Sequence, residues 1–312
     1  MRIGIISGVL GLIVALPVHA QKSDSIKSML LPDVVVTETY QQRQAKKSTL
    51  TVDVADQDFL RKHFTGNFMQ AMENIPGVQA MDIGSGFSKP MIRGMGFNRI
   101  AVLENGIKQE GQQWGADHAP EVDMNGSSSV SVIKGSDAVR YGSDALGGII
   151  VMEQSPLPFR KRSLQGGISA LYGSNGRRYV ATGQLEGAFP GDFAWRLQGT
   201  WSNSGDRSTA HYLLNNTGTR EYHASASLGY DRGRLRVEGF YSRFYSRTGV
   251  MLSAQMGSED LLAERIRLGR PLHTDPFSRG IRPPCQEVTH QIAFGRMRLG
   301  MKKGCLLYTS PS

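Results

Sequence analysis

The sequence predicts an α+β domain followed by an incomplete antiparallel transmembrane β-barrel. Three observations predict it. Residues 45–155 mix short apolar strands with helical spacing. Residues 164–299 instead alternate apolar and polar side chains with period two, as half-buried antiparallel strands do. The links between those later strands are by turns tight and long, and aromatic residues gather at the strand ends. At 312 residues the chain fits one large domain or two ordinary ones.

Composition removes several function classes. Charged residues make up 20%, too many for a helical membrane protein. Residues 1–159 carry 14 Lys+Arg against 16 Asp+Glu, and residues 160–312 carry 22 against 11. The basic excess is Arg spread singly along short segments, without a basic helix or compact patch, so no nucleic-acid partner is expected. Two cysteines exclude a disulfide scaffold and a zinc knuckle. No Ser/His/Asp order or metalloprotease helix occurs, so the protein is not expected to be an enzyme and needs no cofactor.

Taken from the start, Arg2 precedes the apolar run Ile3–Leu16, broken by Pro17 and followed by Val18-His19-Ala20. Small residues at the −3 and −1 positions make residues 1–20 a secretory signal peptide, cleaved before Gln21. The run is short for a membrane span, which takes about 20 residues. Residues 21–45 form a polar arm containing Asp33-Val34-Val35-Val36-Thr37. Its three β-branched residues favour an extended strand able to add to a partner's sheet edge.

Helical spacing runs from Asp58 to Pro76, with Phe59-Leu60, His63-Phe64, and Asn67 as N-cap for Phe68–Ile75. Pro76-Gly77 stops it. Strands are expected at Val78–Met81, Pro90–Arg93, Ile100–Leu103 before an Asn105-Gly106 turn, and Val130–Ile133. In the second half, Phe193, Trp195, Leu197 and Trp201 share one face of a strand, with Ala194, Arg196, Gln198 and Thr200 on the other. Similar segments are Leu164–Tyr172, Tyr179–Glu186, Tyr222–Tyr230, Leu235–Ser242 and Val288–Leu299, the last slipping near Gly295. A soluble β-sandwich shares this periodicity. The tight links at residues 189–192 and 231–234, against long ones near 202–221 and 247–286, favour the barrel. Six strands leave such a sheet open, and unpaired edges in lipid are costly, so further strands are expected. The final segment, Cys305–Ser312, matches nothing before it and resembles the translation of a transposon end used in sequencing libraries. Residues 305–312 are expected to be an appended artefact on a truncated gene, leaving Cys285 as the native cysteine.

Two motifs carry more. Ile92-Arg93-Gly94-Met95-Gly96-Phe97 leads into the hairpin at Glu104-Asn105-Gly106-Ile107. Val132-Ile133-Lys134-Gly135 is followed by Arg140-Tyr141-Gly142 and Gly147-Gly148-Ile149. A phosphate-binding loop is excluded for the second, which lacks the Gly-Lys-Ser/Thr ending and a following helix. Both segments resemble the plug-domain motifs of TonB-dependent outer-membrane receptors, and Asp33–Thr37 resembles that family's TonB box. One departure is Asn105, where Asp is usual; the hairpin reading survives it. The resemblance covers about residues 21–304. It implies a plug at 46–158 and the N-terminal part of a barrel at 159–304, about six of an expected 22 strands. It implies TonB as partner, pairing with Asp33, Val34, Val35, Val36 and Thr37. Arg93, Gly94, Gly96, Asn105, Gly106, Lys134, Gly135, Arg140, Tyr141, Gly142, Gly147 and Gly148 would be the plug-motif residues. It places the protein among outer-membrane lipid in a Gram-negative bacterium.

As implied function, the chain is part of an active transporter for a scarce metal or metal chelate: an iron–siderophore, haem or zinc. Asp117, His118, Glu121 and Asp123 lie within seven residues and are the ligand types that suit a divalent metal. Arg196, Arg236 and Arg298 would favour an anionic ligand if they face the lumen. The alternative is a secreted or surface β-rich adhesin or binding module without TonB coupling.

Overall fold

The structure is a computed structural model that describes residues 52–63, 68–82, 88–109, 122–135, 138, 141–142, 145–159, 164–251, 258–271, 274–301 and 304–311. The signal peptide, the arm with Asp33–Thr37, and Asp117, His118, Glu121 and Arg140 lie outside the described residues.

The N-terminal domain begins with β1 (Val52–Asp56), α1 (Gln57–His63) and α2 (Phe68–Met72). Asp56 caps α1: its Oδ1 accepts the Phe59 backbone N–H at 2.8 Å, satisfying a donor that a helix start leaves open. The helical spacing expected over 58–76 is realised as these two short helices and a turn into Pro76-Gly77. Then come β2 (Val78–Asp82), β3 (Ser88–Ile92), β4 (Ile100–Glu104), β5 (Ile107–Lys108), β6 (Ser129–Lys134) and β7 (Gly148–Glu153). Of the seven strands, β2, β3, β4 and β6 fall where the sequence places them, β5 completes the expected Asn105-Gly106 hairpin, and β1 and β7 were not anticipated. β7, reading Gly-Ile-Ile-Val-Met-Glu, is buried on both faces and so shows no alternation.

The main sheet has the order β1-β6-β7-β4-β5, with β4 and β7 parallel and the other pairs antiparallel. One face packs Val102, Val130, Val132, Ile150 and Met152 against Met69, Met72 and Ile75 from the helical segment. The other packs Ala101, Ile133, Ile149 and Val151 with Ala138 and Ala145. Burying each of these larger side chains is worth about 1.5–3 kcal/mol.

The second half is one seven-stranded antiparallel sheet and a separate short pair. Its strands are β8 (Gln165–Gly173), β9 (Arg178–Phe189), β10 (Phe193–Ser204), a two-residue pair β11 (Arg207–Ser208) and β12 (Leu213–Leu214), β13 (Thr219–Arg232), β14 (Leu235–Gly249), β15 (Cys285–Met301) and β16 (Gly304–Pro311). α3 (Glu259–Leu268) sits in the long β14–β15 link. The wall runs β16-β15-β14-β13-β10-β9-β8. Residues 304–311 pair with β15 as a seventh strand. The β14–β15 ladder passes through Gly239↔Gly295 without a break. The apparent slip there is Phe294 on the inner face, stacked on Phe240 with ring centroids 5.0 Å apart.

The two faces of the wall separate as expected. Ala194, Arg196, Gln198, Ser202, His223 and Ser225 are buried, facing the N-terminal domain or the inner side. Ile168 (90% exposed), Leu185, Leu197, Leu228 and Tyr241 cover the outer face. An apolar outer surface this continuous is what a lipid-facing wall presents, not a soluble sheet.

Candidate functional site: the corner and the wall contact

Three turns of the N-terminal domain meet at one corner. They are Pro76-Gly77, Arg93-Gly94 and Lys134-Gly135. Arg93 has φ +51°, Gly94 +79° and Gly135 +85°. The Arg93 N–H donates to the Gly77 carbonyl at 2.9 Å. The Arg93 side chain passes so close to Gly77 and Gly135 that a Cβ there would lie 3.8 and 3.6 Å from it. Buried Lys134 donates from Nζ to the Pro76 carbonyl and pairs with Asp53 Oδ2 at 2.6 Å. Thus the two glycine motifs of the sequence converge, and Lys134 ties them to β1.

Gly147 and Gly148 serve close approach. At Gly148, with φ +145°, a Cβ would lie 2.8 Å from Ile92 Cδ1 and 2.9 Å from the Ile133 carbonyl. Gly96 lies beside Met91, while Tyr141 is exposed and Gly142 takes φ +133°.

The Asn105-Gly106 turn joins β4 to β5 with φ +51° and +89°, the conformation of a tight hairpin turn. Asn105 does more than turn the chain. Its Oδ1 accepts the Gln154 N–H at 3.0 Å, and its carbonyl accepts Arg296 Nη2 of β15 at 3.0 Å.

The wall contact centres on Asp123, expected among the metal ligands. The structure commits it elsewhere. Its Oδ2 accepts Thr200 Oγ1 at 2.7 Å and Gln198 Nε2 at 2.8 Å, both from β10, and lies 2.9 Å from His223 Nδ1 of β13. Its Oδ1 accepts Asn125 N at 3.0 Å and Asn125 Nδ2 at 3.1 Å. With both oxygens engaged by the wall and the local turn, Asp123 is a clasp between two layers. Among the described residues no group of three or more His, Cys, Asp or Glu is placed to hold a metal.

Burial pushes the Asp123 carboxyl up. The hydrogen bond and charge of His223, with the bonds from Thr200 and Gln198, outweigh this and hold it at about 2. Glu104, nearby and buried, goes the other way. Desolvation lifts it to about 7, although the His223 charge and the Gln109 Nε2 bond at 3.0 Å pull it down. Two carboxyls in one buried cluster therefore differ because only one is ringed by donors.

Arg196 makes a second contact. Its Nε bonds Glu186 Oε2 at 2.7 Å, Nη1 donates to the Ser155 carbonyl at 2.7 Å, and Nη2 to the Pro156 carbonyl at 3.2 Å. These carbonyls belong to the linker between the two halves. Arg236 stacks over Phe159 at 4.6 Å and pairs with Glu238 at 2.6 Å. So Arg196 and Arg236 do lie on the inner side, but their charges are spent on carboxylates and the linker, not left for an anionic ligand. Gln198, Thr200, His223, Glu104, Gln109 and Arg296 were missed as site residues. The inner-face periodicity of β10 and β13 was the signal that could have found the wall members.

Comparison with known proteins agrees with this arrangement. Residues 44–149 match the TonB-dependent receptor plug domain. The chain is 24% identical over 215 residues to a vitamin B12 transporter of Photobacterium profundum, covering 67% of this chain and 35% of that protein. It is 28% identical over 128 residues to a hemin receptor of Yersinia enterocolitica, covering 41% and 18%. The ferric-catecholate import receptor Fiu of E. coli K12 shares the fold at 19% identity with a TM-score of 0.61, covering 84% of this chain and 38% of that one. The chain thus spans about a third or less of the length of the curated relatives it matches. Residues 44–149 therefore carry a TonB-dependent receptor plug domain, and the antiparallel wall that follows shares its fold with part of a solved import receptor of that kind.

Proposed function

We propose that the protein belongs to an outer-membrane importer of a scarce metal chelate, powered by TonB. The observation that carries the reading is a plug seated against a wall whose outer face is apolar, with β1, the first described strand, at the edge of the plug sheet. An outer membrane sustains no ion gradient, so work must reach the plug mechanically. TonB would pair with Asp33–Thr37 by strand addition and pull on β1. The cargo class is a siderophore–iron complex, haem or a cobalamin-like chelate, as the relatives' names indicate for those proteins. Zinc stays within the proposal through Asp117, His118 and Glu121, with Asp123 no longer among its ligands.

The test deletes Asp33–Thr37 from the complete receptor and measures cellular uptake beside ligand binding to isolated outer membranes. Uptake should be lost and binding kept. Unimpaired uptake overturns TonB coupling and favours a surface binding module.

A further inference from the structure

The long connection from β14 to β15 ends in a limb, residues 274–284, that lies on the wall without joining a strand ladder. Its sequence is stiff, since Pro276, Pro283 and Pro284 each fix one backbone torsion. Its amides are satisfied by side chains instead. The Asp275 N–H donates to Asn215 Oδ1 at 2.7 Å, the Ser278 N–H to Asp206 Oδ2 at 3.1 Å and the Arg282 N–H to Asn216 Oδ1 at 2.9 Å. All three acceptors belong to the other long connection, between β10 and β13.

Asn216 is the centre of this contact. It is 2% exposed and takes φ +59°, which Asn tolerates. Its Nδ2 faces the carbonyls of Val250, Arg282 and Pro284, each at 2.9 Å. One side chain thereby closes the start of the long connection onto its end and fastens both to the neighbouring connection. Asp206, equally buried, repeats the fastening: its backbone N–H donates to the Ser278 carbonyl at 2.9 Å. The limb also reaches the short link between β8 and β9. The Arg177 guanidinium lies over the Phe277 ring at 4.2 Å, and Arg279 Nη2 donates to the Arg177 carbonyl. The seat is cut to fit. A Cβ on Gly205 would stand 2.5 Å from Phe277 Cζ and 2.6 Å from the Ser278 carbonyl.

A buried polar network of this kind resists piecemeal opening, because releasing one member strands several others. We propose that Asn216 and Asp206 lock residues 274–284 as a fixed strap, joining the three connections described at this end of the wall into one collar, so that cargo meets this side of the mouth in a preset shape. Asn216 is then a positioning residue for import. The inference deepens the import reading and rests on it for calling this end the mouth.

The first test is hydrogen exchange on the complete receptor in detergent, with no cargo present. In the unmodified protein the amides of Asp275, Ser278 and Arg282 should exchange as slowly as those of β10, and more slowly than those of α3, which buries no residue. Asn216→Asp keeps the shape, the acceptor for Arg282 and the tolerance of positive φ, but turns a carboxylate towards three carbonyls. Exchange across 274–284 should then speed up by roughly tenfold or more. Gly205→Ala, which displaces Phe277 and leaves Asn216 in place, should release the same residues. A strap that exchanges as fast as α3 in the unmodified receptor, or no acceleration in Asn216→Asp, overturns the lock. Should the variants fail to assemble, the unmodified comparison decides.

The second test is uptake by cells offered haemin, cyanocobalamin or a ferric tricatecholate separately. For the probe that is imported, Asn216→Asp should raise the half-saturating concentration by roughly tenfold and leave the maximal rate unchanged, because a preset surface lowers the cost of binding. A released strap with an unchanged half-saturating concentration overturns the positioning role. Import of none of the three counts against the import reading alone, and the exchange result still decides the lock.

Discussion

At its N-terminal end the plug is fastened through β1, a five-residue edge strand with one ladder partner and one ion pair, Lys134–Asp53. The Asp53 side chain is 38% exposed as a whole, but the oxygen that meets buried Lys134 is sealed from water. At its C-terminal end, two linker carbonyls sit on Arg196, which is itself buried and neutralised by Glu186. Between them, Asp123 clasps two wall strands at once. The two ends differ in what they are fastened to: β1 is held within the plug by one ladder and one buried ion pair, whereas the linker and Asp123 are held to the wall. A pull reaching β1 would therefore work against the single-ladder end first, while the linker end holds the plug to the wall.

The comparison breaks most severely at Arg196. Arg196→Ala leaves half-buried Glu186 without its ion-pair partner and two carbonyls without a donor, a loss of about 3 kcal/mol. Chemical unfolding of the complete receptor should show it, with faster proteolysis at the linker. Asp123→Ala strands Gln198, Thr200 and His223 and should cost about 1–3 kcal/mol, again by unfolding. If it costs nothing, the clasp is not a fastening. Lys134→Met leaves the buried Asp53 Oδ2 and the Pro76 carbonyl without their donor and should cost about 1–3 kcal/mol. Hydrogen exchange should speed up in β1 and leave β7 protected. Equal acceleration in β7 would erase the contrast between the two ends.

A pH dependence sharpens the contrast between the two buried carboxyls. Glu104 holds its proton more tightly in the folded state, at about 7 against an ordinary 4.5. Its contribution is therefore fully present below about pH 4.5 and is lost as pH rises through about 7. The melting temperature should drift down between about pH 5 and about pH 8, and Glu104→Gln should flatten the drift. Asp123 works in the opposite sense: its contribution is present above 3.8 and fades as pH falls through about 2.

Much of this was legible from local pattern. The strand faces of β10 and β13 follow from alternation, since a two-residue period leaves each side chain one choice of face. The Asn105-Gly106 turn was legible because both residues tolerate positive φ. β1 and β7 were not. One is a short edge strand, and the other is apolar throughout, so neither shows a period against which to read it. Asp123 was grouped with Asp117, His118 and Glu121 because neighbours in sequence look like neighbours in space. Its carboxylate instead answers to Gln198, Thr200 and His223, some 75 to 100 residues away.

What the amino-acid order settled alone was periodic and local: the α+β segment, the alternating strands and the glycine turns. These depend on contacts within a few residues, where chain geometry leaves little freedom. Tertiary structure decided the pairings between distant charges: Lys134 with Asp53, Arg196 with the linker, Asp123 with the wall. Each depends on which polar groups are sealed from water together, and that follows only from how the plug meets the sheet.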